Sequence, residues 1–435
     1  MCAGMRGRTA CGIAVISSSA PTRFVAFQHS DYRLFFCSRL LNGLAVQMVD
    51  VAVAWLIYDI TGSALALGMI GLAIFLPNIL FLLLAGHVAD RFDRRLVLAI
   101  AYAVTACASS GLLLAVYFDA LTPPLIFALV ALIGTARAFA SPASSAIAPT
   151  LVPREHFANA VAMNSSANQV ATIAGPAIGG LVYMFGPGAV FTITTLCFAS
   201  CVLLLLAIRT RRAKSEREPV SWEYLTAGIR FIRGNKTVLG LISLDLFAVL
   251  LGGATALMPI FAKDIFETGP VGLGLLRSAP AIGALLTAIG LAWFALNSKV
   301  GLRMFQSVAA FGLATIGFGL STNMYFAMLC LALIGAADMV SVYIRSTLVQ
   351  LETPDAMRGR VSAVNSMFIG ASNELGQFES GVLASFFGPV TAALIGGFGA
   401  LGVTGLWMRL FPDLAARDKL TRSAQDLLAC PADLN

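Results

Sequence analysis

Charge is what this sequence has least of. Only 12% of its 435 residues are Asp, Glu, Lys or Arg, where an average soluble domain carries about 25%. Hydrophobic residues make up 58%, and the mean hydropathy is +0.85. That balance excludes a fold solvated on all sides by water. Histidine is scarcer still: His29, His87 and His156 are the only three, each outside or at the edge of an apolar run. They supply neither a nucleophile–base pair nor a metal cluster, so an integral-membrane enzyme is disfavoured and no metal or cofactor is expected. A P-loop is absent as well, which argues against ATP as the driving force. The chain has eight cysteines, but Cys37, Cys107, Cys197, Cys201 and Cys330 fall inside apolar runs without ligand spacing. They read as small hydrophobes, not as a disulfide framework.

What is present is a series of apolar segments, each about 20 residues long, the length a helix needs to cross a ~30 Å hydrocarbon core. They fall near 35–58, 66–89, 96–117, 124–145, 158–184, 188–208, 238–262, 272–296, 302–320, 325–347, 361–386 and 389–410. The runs are continuous, not alternating, so they predict an all-α membrane protein with twelve transmembrane helices and not a barrel. The first 33 residues are basic and Ser/Ala-rich, and their apolar stretch GIAVI is too short for a signal-peptide core. They read as a solvated, disordered tail.

The net charge of +7 raises the question of nucleic acid, and the placement of the charges answers it. Arg91, Arg94 and Arg95 follow the second run, Arg154 the fourth, and a dense group from Arg209 to Lys236 the sixth. Lys299 and Arg303, Arg358 and Arg360, and Arg409, Arg417, Lys419 and Arg422 continue the alternation, whereas the odd-numbered connections offer little beyond Lys263. The positive-inside rule then puts both termini in the cytoplasm of a multi-pass inner-membrane protein. The basic residues orient the chain in a bilayer, and no nucleic-acid partner is implied.

An internal repeat appears on shifting the chain by 201 residues: Ala131-Leu132-Ile133-Gly134 overlies Ala332-Leu333-Ile334-Gly335. The same shift pairs Pro153 with Pro354, Asn164 with Asn365, Gly175 with Gly376 and Gly180 with Gly381. The twelve spans therefore divide six and six, as two pseudo-symmetric bundles over 34–208 and 238–411. A cytoplasmic linker, 209–237, joins them, and tails at 1–33 and 412–435 flank them. Within the linker, Trp222, Leu225, Ile229 and Ile232 recur at helical spacing opposite Glu223, Arg230 and Arg233. This is a short amphipathic helix, lying in the interface or packed under the bundle.

After the second span stands GHVADRFDRR. It resembles the loop signature of the major facilitator superfamily, with Gly86, Asp90, Arg91, Arg94 and Arg95 at the matching positions and Asp93 where many members carry Gly. In the fifth span, AGPAIGG, with Gly175, Pro176, Gly179 and Gly180, looks like the motif of that superfamily's antiporters and exporters. Its mirror in the second half, GQFESG, has lost the proline and gained charge, so a helix bend is expected on one side only. VAWLIYDITGSALALG, SPASSAIAPTLVPREHFANAVAMN and SWEYLTAGIRFIRGN are similar to the branch that includes enterobactin exporters and macrolide efflux proteins. The resemblance implies the major facilitator fold, a cytoplasmic latch formed by Asp90 and Arg91, and a monomeric exporter working by alternating access. An importer of a metabolite or a transporter-derived sensor is the alternative.

Ionisable residues inside a span are costly and so are functional candidates. Glu374 lies near the middle of its span, and with Asp50 and Asp245 it is a candidate for proton coupling. Arg137, Asp338 and Glu379 are candidates for the substrate cavity; the repeat makes Arg137 and Asp338 equivalent, an opposite pair expected to face one cavity. Arg39 and Arg277 lie closer to span ends. The expected solute is small, amphipathic and organic, drug-like or siderophore-like, held in a cavity lined by Met, Phe and few charges.

Overall fold

Continuous apolar sequence satisfies its backbone internally, and the computed structural model is correspondingly helical. It describes residues 25–209, 222–294, 296 and 298–419, and no strand occurs among them. The helices are α1 (Ser30–Thr61), α2 (Ala64–Leu80), α3 (Leu82–Arg91), α4 (Arg94–Tyr117), α5 (Pro123–Ile147), α6 (Phe157–Tyr183), α7 (Pro187–Ala207) and α8 (Trp222–Gly234). There follow α9 (Lys236–Leu251), the short α10 (Met258–Ile260), α11 (Gly269–Trp293), α12 (Val300–Gly319), α13 (Met324–Glu352), α14 (Asp355–Phe387), α15 (Pro389–Leu410) and α16 (Pro412–Ala415).

Among the described residues nine helices are long and apolar enough to cross a membrane, one of them running from Lys236 to Ile265, and a bent pair brings the number to ten. The pair is α2 and α3, which meet at 53°. Pro77 lies one turn before the break and cannot donate to the helix ladder. Two of the twelve expected spans, α6 and α14, fall outside this set although they are 27 and 33 residues long. The cause is a polar stripe. On α6, Ser165 and Asn168 are exposed and Thr172 is partly exposed at helical spacing, and on α14, Ser366, Gly370, Glu374 and Gln377 line cavities at the same spacing.

The helices pack in two groups. In the first, α1 lies against α6 and α7, α4 against α5 and α7, and α2 against α5; in the second, α11 lies against α13, α12 against α13 and α15, and α9 against α14 and α15. The groups meet chiefly along α6·α11 and α2·α14, which the repeat relates to each other as one contact made twice. Both crossings are built from glycine. A Cβ on Gly381 would lie 2.6 Å from the Cα of Gly68, and one on Gly180 would lie 3.1 Å from the Cα of Gly274.

These crossings sit at the end of the bundle remote from the start of α1 and the finish of α15, here termed the far end. Two polar contacts join the groups there: Lys263 Nζ to Asp59 Oδ1 at 2.5 Å, and the Tyr58 hydroxyl donating to Asp264. The opposite, terminal end is where the cavities open. The amphipathic α8 packs there beneath the bundle, with Ile232 buried, Gly228 against the backbone of Arg360, and Arg360 over the Tyr224 ring at 5.5 Å. Residues after α15 fold back rather than trailing away. Arg417 pairs with Glu352 at 2.7 Å, and the carbonyls of Arg417 and Asp418 accept the first N–H groups of α12. Of the expected tails, 1–33 and 412–435, and linker, 209–237, residues 1–24, 420–435 and 210–221 lie outside the described residues.

Candidate functional site

A cavity of about 400 Å3 lies where the two groups of helices face each other. Its walls come from α1, α2, α5, α6, α10, α11, α13 and α14. Eleven of the 24 lining residues are Val, Ile, Leu or Ala, with Met258 but no Phe, and five ionisable side chains reach it: Asp50, Arg137, Arg277, Asp338 and Glu374. This differs from the expectation of a Met- and Phe-lined cavity with few charges. Phe residues are found instead in buried helix contacts, such as Phe261 with Phe318 at 4.5 Å between centroids, and at exposed positions such as Phe185 and Phe386.

Arg137 Nη2 donates to Asp50 Oδ1 at 2.6 Å, an ion pair between α5 and α1 with about a quarter of each side chain accessible. Arg137 and Asp338 thus line one cavity, but the partner of Arg137 is Asp50. Glu374 enters from α14, across the cavity from the pair, and lies within electrostatic range of both Arg137 and Asp50. Its Oε2 accepts a hydrogen bond from Gln377 at 3.3 Å. Arg277, on α11, feels Asp50 and makes no ion pair among the described residues. A buried guanidinium is favourable only when paired or hydrated, so a polar, wettable cavity is where such a residue can be kept.

The remaining candidates lie apart from this constellation. Asp245 is buried and paired with Arg345 of α13. A small void beside it touches Ser307, Ser341 and Asp338, the last of which also lines the central cavity. Glu379 lies off the cavity walls, with Ser380 Oγ donating to it at 3.4 Å. Gly175 and Gly179 press α6 against α1, where Cβ atoms would come 2.6 Å from Gln47 Cβ and 2.9 Å from Met48 Cα. Helix α6 runs unbroken through Pro176, and the sharp break in the chain is the one after Pro77. In the loop motif, Asp93 caps α4 by accepting the Arg95 N–H at 2.9 Å. Arg94 donates to the Ala146 carbonyl at 3.0 Å and Arg95 to the Ile208 carbonyl. Arg91 and Gly86 belong to α3; the side chain of Asp90 lies outside the described residues.

Sequence reasoning passed over two features. One is the far-end set of Tyr58, Asp59, Lys263 and Asp264; its signal was that α1 and the segment reaching Ile265, equivalent under the repeat, both end in charged residues. The other is a pair of cavities toward the terminal end. One, of about 470 Å3, shares Arg137 with the central cavity. The other, of about 690 Å3, shares Ser141 and Ser145 with the first and is lined by Arg39, Asn42, Asn164, Asn168 and Gln169. Through these shared residues the two cavities adjoin each other and the central one.

The family model described as transmembrane secretion effector matches residues 19–431. The enterobactin exporter EntS of Shigella boydii serotype 4 is 27% identical over 400 residues, covering 89% of this chain and 93% of that protein. EntS of Escherichia coli O81 is likewise 27% identical, over 401 residues and the same shares of the two chains. Among solved structures, a bacterial homologue of the iron transporter ferroportin in an inward-facing state superposes with a TM-score of 0.68 at 16% identity, covering 89% of this chain and 99% of that one. The nucleoside transporter NupG gives 0.66 at 15% identity, covering 88% and 98%. These structural likenesses show a shared fold.

Proposed function

The chain belongs to the transmembrane secretion effector family of major facilitator transporters, and from that premise we propose that it is a proton-coupled exporter of a small amphipathic organic solute, siderophore-like, working by alternating access. In this reading α6 and α14 complete twelve spans. The terminal end faces the cytoplasm of a monomer in the inner membrane. The described state is then inward-facing: sealed at the far end by the glycine crossings and the Lys263–Asp59 and Tyr58–Asp264 contacts, and open toward the cytoplasm. Support for export comes from EntS, named an enterobactin exporter and similar over nearly its whole length.

The single observation that carries the coupling is that Glu374 of the second group faces the Asp50–Arg137 pair of the first. An ionised Glu374 competes with Asp50 for the Arg137 guanidinium and draws the two groups together; a protonated one gives up that attraction. Proton loading thereby shifts the balance between the two arrangements of the bundles, which is what exchange of an outside proton for an inside solute requires. The test is Glu374→Gln in proteoliposomes with an imposed pH gradient and enterobactin as solute. Gradient-driven accumulation should be lost, while downhill exchange survives. Full gradient-driven transport by the variant would move the role to Asp50.

A further inference from the structure

The cavity nearest the terminal end carries its own chemistry. Arg39 is the only charged residue on its walls among the described residues, the rest being rich in amides and hydroxyls: Asn42, Asn164, Asn168, Gln169 and Ser144. Arg39 lies nine residues into α1, so its Cα stands about 14 Å along the helix from its first residue. A cation retained only to fix topology would reach back along its stem toward headgroups or water. Here the guanidinium turns inward: Nη1 donates to Ser144 Oγ of α5 at 2.5 Å, and Nε is buried without any hydrogen-bond partner. Among the described residues no carboxylate pairs with it. The neighbouring cavity likewise has an arginine, Arg137, as its only charged wall residue among those described. Carboxylates first appear in the central cavity.

From this we propose that the Arg39 cavity is a loading site for organic anions, in which Arg39 takes an acidic group of the solute while the amides of α1 and α6 take its hydroxyl or carbonyl groups. A positive, low-dielectric funnel concentrates anions at its mouth, and a guanidinium on the cavity wall that has no carboxylate partner among the described residues can take one from a solute. The solute would then advance along the stripe Ser165, Asn168 and Thr172 of α6 toward Arg277, the unpaired cation of the central cavity. This deepens the exporter reading by naming the substrate class, and rests on it only for the direction of travel.

The test does not depend on transport, so its failure and the failure of the exporter reading are separable. In purified full-length protein whose native cysteines have been replaced, Asn168→Cys places a thiol on the cavity wall. Its rates with an anionic sulfonatoethyl thiosulfonate and a cationic trimethylammonioethyl thiosulfonate are each normalised to those of free mercaptoethanol. An anion excess of roughly fivefold or more is expected, kept by Arg39→Lys and lost in Arg39→Gln. Arg39→Met, which retains an apolar stem, serves the same purpose if Arg39→Gln is not recovered folded. Millimolar 1-naphthoate should slow labelling, and its uncharged amide should not. Equal rates for the two reagents in the parent, an excess that survives loss of the charge, or protection by the amide equal to that of the acid would each overturn the proposal, as would no protection by either.

Discussion

The buried pair Asp245–Arg345 and the cavity residue Glu374 are acids of the same kind set in different surroundings, and substitution should separate them. Both members of the pair are less than a tenth accessible, so Asp245→Asn leaves a guanidinium uncompensated in the second helix group. Breaking such a pair costs about 3–5 kcal/mol, whereas replacing both partners with apolar groups of similar volume is close to neutral. Asp245→Asn should therefore lower the thermal unfolding midpoint in detergent. Asp245→Leu combined with Arg345→Met should recover most of it, and an unchanged midpoint for the single variant would show that the pair contributes nothing. Glu374→Gln, on a hydrated wall, should leave the midpoint nearly unmoved while altering coupling. Sequence alone grouped Asp245 with Glu374, because an acid inside an apolar run is all that local inspection registers. That Arg345 meets Asp245, a hundred positions earlier, is a fact of packing.

At the scale of the helix, the decisive contacts are those in which no side chain intervenes. Gly68 and Gly381 bring α2 and α14 together so closely that a β-carbon on Gly381 would overlap the opposite backbone. Gly381→Val should hold that crossing apart. A cysteine replacing Ala54, on the central cavity wall, should then become reactive from the far side of the membrane, where the parent protects it. Continued protection in Gly381→Val would remove the crossing from the seal. The two-fold character of these contacts was legible beforehand, since Gly180 and Gly381 fall at the same point of the repeat. The use made of AGPAIGG was not: Gly175 and Gly179 serve close packing on α1, and the sharpest break falls after Pro77, a proline outside any recognised motif. The role of Asp93 as a helix cap was hidden for a similar reason, since family comparison registers which residue departs from the pattern but not which N–H group it satisfies.

For the molecule as a whole, the proposed orientation rests on the basic connections, and single cysteines can check it. A cysteine at Thr226 on α8 should be labelled only from the cytoplasmic side, and one at Ala120, between α4 and α5, only from outside. Labelling of Thr226→Cys in intact cells by an impermeant reagent would invert the arrangement and with it the direction of loading. The polar stripes of α6 and α14 bear on a different stage in the protein's life, its entry into the bilayer during synthesis. Each lateral step out of the insertion machinery weighs a helix's apolar surface against the polar groups it carries, and these two helices bear on one face groups that line the cavities. A helix so marked does not settle in lipid alone. Helix α6 packs on α1, already made when it emerges, and α14 packs on α2. The order of the chain thus provides each of these two helices with a partner synthesised before it.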